Sequence, residues 1–125
     1  MTKSLTVAKH RANLDQLETE TAASIAIMQA TYDELDPEEA ASDVGAGEDE
    51  GGSEGDLTRF ERDRLRARIA EENLFLEVIA AAKLRSKGKG WKNCTKCANP
   101  IGEPRLEALP ATDLCVTCKA DRANW

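Results

Sequence analysis

The stretch CTKCANPIGEPRLEALPATDLCVTCK, residues 94–119, contains all four cysteines of the 125-residue chain. They form two C-x2-C pairs separated by 17 residues, a spacing typical of four-cysteine zinc sites. Four thiolate sulfurs at about 2.3 Å complete a tetrahedron around zinc and leave no open position for water or substrate. We therefore predict one structural Zn²⁺ ion per chain, held by Cys94, Cys97, Cys115 and Cys118.

Other roles for these cysteines fit the sequence less well. A thioredoxin-like redox pair needs a βαβ context that the neighbouring residues lack, and a rubredoxin-like iron site is the less common alternative. The chain has no stretch of roughly 20 apolar residues and no apolar run near its N-terminus, so we expect a cytoplasmic protein with reduced thiols. Zinc binding would contribute about 10 to 16 kcal/mol to the folding free energy of this segment, whose apolar core is small. We predict that this core consists of Ile101, Leu106, Leu109, Leu114 and Val116.

Two segments before the cysteines carry apolar side chains at helical spacing. In the first segment they recur at steps of three and four, as in a helix that packs against one other helix. Its predicted seam is Val7, His10, Leu14, Leu17, Thr21, Ile25, Met28, Tyr32 and Leu35. The second segment follows Asp56, which has the side chain of an N-cap. Its predicted seam is Leu57, Phe60, Leu65, Ile69, Leu76, Ile79 and Leu84.

An acidic segment separates the two predicted helices. Residues 33–56 contain eleven acidic residues and five glycines, with no lysine or arginine, so this segment cannot bury itself and we predict a loop around 36–56. Two helices joined by a polar loop predict a long antiparallel hairpin, a coiled coil with an acidic tip. The predicted fold is therefore mostly α, with the hairpin in 1–90 and a four-cysteine finger and short C-terminal helix in 91–125.

Charge and residue types restrict the function. The net charge is −6, and residues 91–125 hold five basic and four acidic side chains, so we do not expect direct specific DNA binding. The single histidine, His10, lies on a predicted helix seam far from the cysteines, where we expect a half-buried, hydrogen-bonded side chain. No nucleophile has a base beside it. We therefore expect a non-enzymatic protein, monomeric and without a membrane partner.

Several charged and aromatic residues have ordinary structural interpretations. The five arginines between 59 and 68 are accompanied by acidic residues, and we interpret them as a solvated helix face. We expect Trp91 and Trp125 to cover the small core of the finger.

The quoted stretch closely resembles the zinc finger of the DksA/TraR family of bacterial transcription regulators. Fingers of that family contain CxxC, then a P-I-x-x-x-R-L-x-A-x-P run, then CxxCK. The matching positions include Ile101, Arg105, Leu106, Glu107, Ala108, Pro110, Cys115, Cys118 and Lys119. Ala98 and Asn99 replace a glycine that is common after the first cysteine pair. The stretch DEGGSEGDLTRFER, residues 49–62, is similar to the junction of acidic tip and helix in shorter members.

The resemblance implies a partner and a mechanism. Family members bind RNA polymerase and insert the hairpin into its secondary channel, so that acidic tip residues approach the active centre and alter initiation. Well-known members carry Asp-x-x-Asp-x-Ala at the tip. When the motif is aligned from Asp49, Gly52 stands in place of the second aspartate and Glu54 in place of the alanine. The implied tip residues are Glu48, Asp49, Glu50 and Glu54, and the implied finger contacts are Arg105 and Glu107. The alternative is a nucleic-acid-binding or protein-adaptor zinc finger that does not use the channel.

Overall fold

A computed structural model describes the backbone of residues 4–35 and 54–123, and the side chains of 4–35 and 57–120. Its helices are α1 (Val7–Glu34), α2 (Glu54–Arg85), α3 (Glu103–Ala108) and α4 (Val116–Ala123). Within these residues the only β contact is an isolated antiparallel bridge between Asn93 and Pro100. The predicted mostly helical fold, with two long helices followed by a cysteine module and a short last helix, is confirmed.

The ends of the long helices differ slightly from the prediction. Helix α1 begins after Thr6, whose hydroxyl accepts the Lys9 N–H at 3.1 Å and acts as the N-cap. It ends at Glu34, before Pro37. Helix α2 begins at Glu54 and not after Asp56. The remainder of the predicted loop, residues 36–53, lies outside the described residues.

The chain divides into two compact units. The finger unit contains the described residues of Met1–Glu20 and Leu76–Trp125, and the helical unit contains those of Thr21–Phe75. Each long helix therefore contributes to both units. The predicted division into residues 1–90 and 91–125 stays a prediction.

In the finger unit the long helices are linked by polar contacts. Lys83 Nζ lies 2.9 Å from Asp15 Oδ1 and 2.6 Å from Glu18 Oε1, and Arg11 Nε donates to Ser86 Oγ at 3.0 Å. Later positions in α1 pair with earlier positions in α2, so the helices run antiparallel.

An apolar cluster packs beside these contacts. Leu14 and Ile79 are fully buried, as the predicted seams require, and Leu17 and Leu76 pack against them. Ala82 and the finger residue Ala111 complete the cluster. This part of the finger unit therefore joins the two long helices to the residues between the cysteine pairs.

The helical unit has a thinner interior. Arg62 of α2 bonds to the Leu35 carbonyl and Arg66 to the Tyr32 hydroxyl, so the helices are antiparallel here as well. The apolar seam residues Ile25, Met28, Leu65 and Ile69 are only half-buried, and the polar seam residue Thr21 is 6% exposed. Among the described residues of this unit, no hydrophobic side chain is fully buried.

Part of the predicted α2 seam is wrong. Leu57, Phe60 and Leu84 are 59%, 62% and 66% exposed. The steps from Phe60 to Leu65 and from Ile79 to Leu84 are five residues, which turns the side chains away from a seam built on steps of three and four. Arg62, three residues before Leu65, and Lys83, four residues after Ile79, occupy the positions that steps of three and four assign to the seam. Neither long helix, in its described residues, has the apolar stretch needed to cross a membrane.

Candidate metal centre

The first cysteine pair lies in a tight turn after α2. The Cys94 N–H donates to the Asn99 carbonyl at 2.8 Å, and the Ala98 N–H donates to the Cys94 carbonyl at 2.9 Å. The Lys96 N–H points at Cys94 Sγ, 3.4 Å away. These backbone bonds fold the turn so that Cys94 and Cys97 present their sulfurs to the same side.

Ala98 closes this turn in a left-handed conformation, with φ at 66°. Such a φ is unfavourable for a residue with a Cβ, by roughly 1 kcal/mol compared with glycine. Ala98 therefore performs the role of the glycine expected after the first pair, and at a conformational cost.

The second cysteine pair lies at the beginning of α4. Cys115 immediately precedes that helix, Cys118 is in its first turn, and the Lys119 N–H donates to the Cys115 carbonyl at 2.9 Å. Arg105 Nε donates to the Leu114 carbonyl at 3.0 Å. Arg105 thus fixes the residue that enters the second pair.

A short link joins the two cysteine turns. The Thr95 N–H donates to the Asp113 carbonyl at 2.9 Å. The Thr95 hydroxyl lies 3.2 Å from the same carbonyl and 3.3 Å from Asp113 Oδ2. This link holds the two pairs next to each other through contacts that do not involve sulfur.

The four sulfurs form a cluster suited to zinc. All four Sγ atoms lie within 4.8 Å of one another, and Cys97 Sγ is 3.7 Å from Cys115 Sγ. Sulfurs at 2.3 Å from a tetrahedral zinc would be about 3.8 Å apart, so this donor set fits a four-sulfur zinc site. The predicted single structural zinc ion, held by Cys94, Cys97, Cys115 and Cys118, is supported.

The cysteines differ in environment. Cys94 and Cys118 are buried, Cys115 is half-buried and Cys97 is exposed. Burial opposes ionisation of Cys94, but N–H groups of Cys115, Cys97 and Lys96 lower its pKa to about 6. Burial and the neighbouring thiols raise the pKa of Cys118 to about 12. A bound divalent cation would favour the thiolate form of every ligand and release their protons.

The finger has its own core around the metal ligands. Ile101, Leu106 and Leu114 are buried as predicted, together with Cys94 and Cys118. Leu109 and Val116 were predicted in this core, but they are 51% and 64% exposed. Leu109 follows the last turn of α3 and Val116 begins α4, and neither side chain turns inward.

A residue from the other end of the sequence completes this core. Leu5 is 3% exposed and belongs to the same cluster as Cys94 and Leu106. Its N–H donates to Glu103 Oε1, while Glu103 Oε2 lies 3.4 Å from Lys92 Nζ. The Leu5 N–H and the Lys92 ammonium lower the pKa of the Glu103 carboxyl. The only sequence signal was an apolar residue just before the N-cap, which does not indicate a finger contact.

His10 is more buried than predicted. It is 3% exposed, and its ring stacks on Trp91 at 4.6 Å between centroids. Within the described part of the chain, its Nδ1 has no hydrogen-bond partner. Burial and the nearby Arg85 charge lower the pKa of His10. The expectation of a half-buried histidine is wrong, because the Trp91 ring covers the side chain. Trp91 also packs on the finger core, and Trp125 lies outside the described residues.

Among the described residues, the other predicted site residues do not join the four-sulfur cluster. Glu48, Asp49 and Glu50 lie outside the described residues, and Glu54 is described only as the first backbone position of α2. Glu107 is exposed on α3. Partner contacts of these residues and of Arg105 stay predictions.

The geometry defines a four-cysteine zinc finger that follows two long helices. Comparison with protein families gives the same class: the model of the prokaryotic dksA/traR C4-type zinc finger matches residues 88–122. The chain therefore contains a DksA/TraR C4-type zinc finger, as the resemblance of residues 94–119 indicated. Neither the curated proteins nor the solved structures provide a match.

Proposed function

We propose that this protein is a cytoplasmic bacterial transcription regulator that binds RNA polymerase directly and has no enzymatic activity of its own. In this proposal the tip of the helical hairpin enters the secondary channel and modulates initiation. The observation that carries it is the DksA/TraR finger at residues 88–122, placed after two long helices whose connection is acidic.

Helix length is compatible with this mechanism. Helices α1 and α2 contain 28 and 32 residues, or about 40 to 50 Å at 1.5 Å per residue. A pair of helices is narrow enough to enter a channel that excludes a globular domain. Carboxylates between the helices would then be able to interact with metal ions or basic side chains near the active centre.

The metal centre supports a structural role for the finger in this mechanism. Four cysteines supply a complete tetrahedral ligand set, so a bound zinc keeps no position for substrate. The proposed role of zinc is to fold the part of the molecule that holds the polymerase, while the acidic segment acts on transcription.

Binding to purified core RNA polymerase tests the proposal. The wild type is compared with Asp49→Ala/Glu50→Ala, with a known secondary-channel ligand as competitor. A matched control, Glu71→Ala/Glu77→Ala, removes the same charge from exposed positions of α2. We expect the competitor to displace all three proteins and only the Asp49/Glu50 variant to lose its effect on transcription in vitro.

Two results would contradict this mechanism. Binding that the competitor does not reduce would exclude the channel, and no binding at all would exclude RNA polymerase as the direct partner. A salt-sensitive shift of duplex DNA by the protein alone would instead favour the nucleic-acid-binding alternative.

A further inference from the structure

Two arginines of α2 contact the C-terminal end of α1 in the helical unit. Arg62 Nη1 donates to the Tyr32 carbonyl at 3.0 Å and to the Leu35 carbonyl at 2.5 Å. The Arg62 guanidinium also lies over the Tyr32 ring, with Cζ 4.0 Å from the ring centroid. Arg66 Nη2 donates to the Tyr32 hydroxyl at 2.9 Å. We call Tyr32, Arg62 and Arg66 the helix-end cluster.

The end of α1 needs a positive charge that its own sequence does not supply. The last carbonyl groups of a helix lack partners within the helix and carry partial negative charge. Helix α1 has no basic residue in its last turn, and Asp33 and Glu34 add negative charge there. Arg62 supplies the missing cation from the neighbouring helix. It donates to the Leu35 carbonyl and to the Tyr32 carbonyl, which also accepts the Leu35 N–H at 3.2 Å.

The surrounding packing cannot easily replace this cluster. No apolar side chain in the described part of the helical unit is fully buried, so apolar contacts define the end of α1 only weakly. The hydrogen bond from Arg66, with the charges of both arginines, lowers the pKa of the Tyr32 hydroxyl. That change indicates a close electrostatic contact between the tyrosine and the arginines.

We propose that Arg62 is a positioning residue that fixes the C-terminal end of α1, the point from which the acidic segment continues, and that Arg66 supports it by holding Tyr32. The role in transcription rests on the proposed function, because it requires that the acidic segment acts on RNA polymerase. The role in ending α1 does not depend on that proposal.

Hydrogen exchange measured by mass spectrometry tests the structural part. The variant Arg62→Ala is compared with Arg64→Ala, which removes the same charge from an exposed position on α2. Loss of two charge-assisted hydrogen bonds should make amide exchange in residues 29–35 about tenfold faster in Arg62→Ala. Exchange in the Arg64→Ala control should match the wild type. Equal exchange in both variants would overturn the proposal.

Arg66→Ala and Tyr32→Phe test the supporting contact. Both variants remove the bond between the Arg66 guanidinium and the Tyr32 hydroxyl, while Tyr32→Phe keeps a ring under Arg62. We expect both variants to exchange faster than the wild type in residues 29–35, but less so than Arg62→Ala. If residues 29–35 exchanged at the wild-type rate in both variants, the supporting role of Arg66 would be contradicted.

Transcription assays test the positioning part with the same proteins. We expect Arg62→Ala to retain zinc and polymerase binding but to lose at least half of its effect on initiation, while Arg64→Ala keeps it. Faster exchange with an unchanged effect on initiation would overturn the positioning role. If the wild type itself neither bound the polymerase nor changed initiation, the proposed function would fail and the positioning role with it. The exchange comparison would still decide whether Arg62 ends α1.

Discussion

The finger unit and the helical unit are stabilised in different ways. In the finger unit, Leu14, Ile79 and Leu106 are almost completely buried, and four cysteines form a zinc site. In the described part of the helical unit, apolar residues are at most half-buried, and Arg62 and Tyr32 make the specific contacts. Burial and metal binding therefore account for stability in the first unit, whereas directional polar contacts define geometry in the second.

Zinc removal should produce the largest difference in stability between the two units. Chelation, or the variant Cys115→Ser, should remove about 10 kcal/mol of apparent stability from the finger, because its small core depends on the metal. We expect amide protection to disappear over residues 88–122 and to change much less over residues 21–35. Hydrogen exchange with parallel zinc analysis measures both, and readdition of zinc to the chelated wild type is the control. Equal loss of protection in both regions would contradict the distinction.

Two matched isoleucine truncations should show the next largest difference. Ile79 is fully buried in the finger unit, so Ile79→Ala should cost about 3 kcal/mol. Ile69 occupies a seam position of the helical unit but is only half-buried, so Ile69→Ala should cost about 1 kcal/mol. Urea unfolding measures both free energies. Costs of the same size would mean that the helical unit is as well packed as the finger unit.

His10 should make stability depend on pH. Its folded-state pKa lies below the ordinary 6.5, because burial and Arg85 oppose its protonation. Well above pH 6.5, His10 is neutral in both the folded and the unfolded chain. As the pH falls through 6.5, the unfolded chain binds a proton that the folded chain does not. The free energy of unfolding therefore decreases. The variant His10→Phe keeps a ring against Trp91 and should lack this decrease.

Urea unfolding of both proteins between pH 7.5 and 5.5 tests this expectation. Protonation of the cysteine ligands occurs in both proteins, so their difference isolates His10. Parallel curves for the two proteins would show that the folded state protonates His10 as easily as the unfolded chain does.

The smallest expected effect concerns backbone strain in the finger. Ala98 has a φ of 66°, so Ala98→Gly should stabilise the finger by about 0.5 to 1 kcal/mol. Gly102 has a φ of 103°, with nothing within 4 Å of a Cβ placed there, so Gly102→Ala should destabilise it by about 1 kcal/mol through strain alone. Zinc transfer to a chromogenic chelator should slow in the first variant and accelerate in the second. A faster transfer from Ala98→Gly would contradict the strain argument.

The sequence predicted the metal centre better than the packing around it. The C-x2-C spacing identified all four ligands because zinc restricts both residue type and separation. The seams at Leu14 and Ile79 followed from helical periodicity. Leu57 and Phe60 were placed on the seam because they are apolar, although the position that keeps the spacing is Arg62. Residue type alone cannot distinguish an apolar side chain on the seam from one beside it.

Contacts between distant parts of the chain were also missed. The stacking of His10 on Trp91 and the contribution of Ala111 to the helix cluster depend on how the finger packs in its unit. Local patterns contain no information on such pairs. The helix-end cluster was missed for the same reason, because its arginines resembled an ordinary solvated helix face.

The bond between Leu5 and Glu103 has a consequence for the order of events during synthesis. The two residues are 98 positions apart, so Leu5 is synthesised long before the finger residues that bury it. At about 5 to 20 residues per second, this delay is on the order of 5 to 20 seconds. The core of the finger can close only after translation of the last cysteine, which makes completion of the metal module a late event in the production of each molecule.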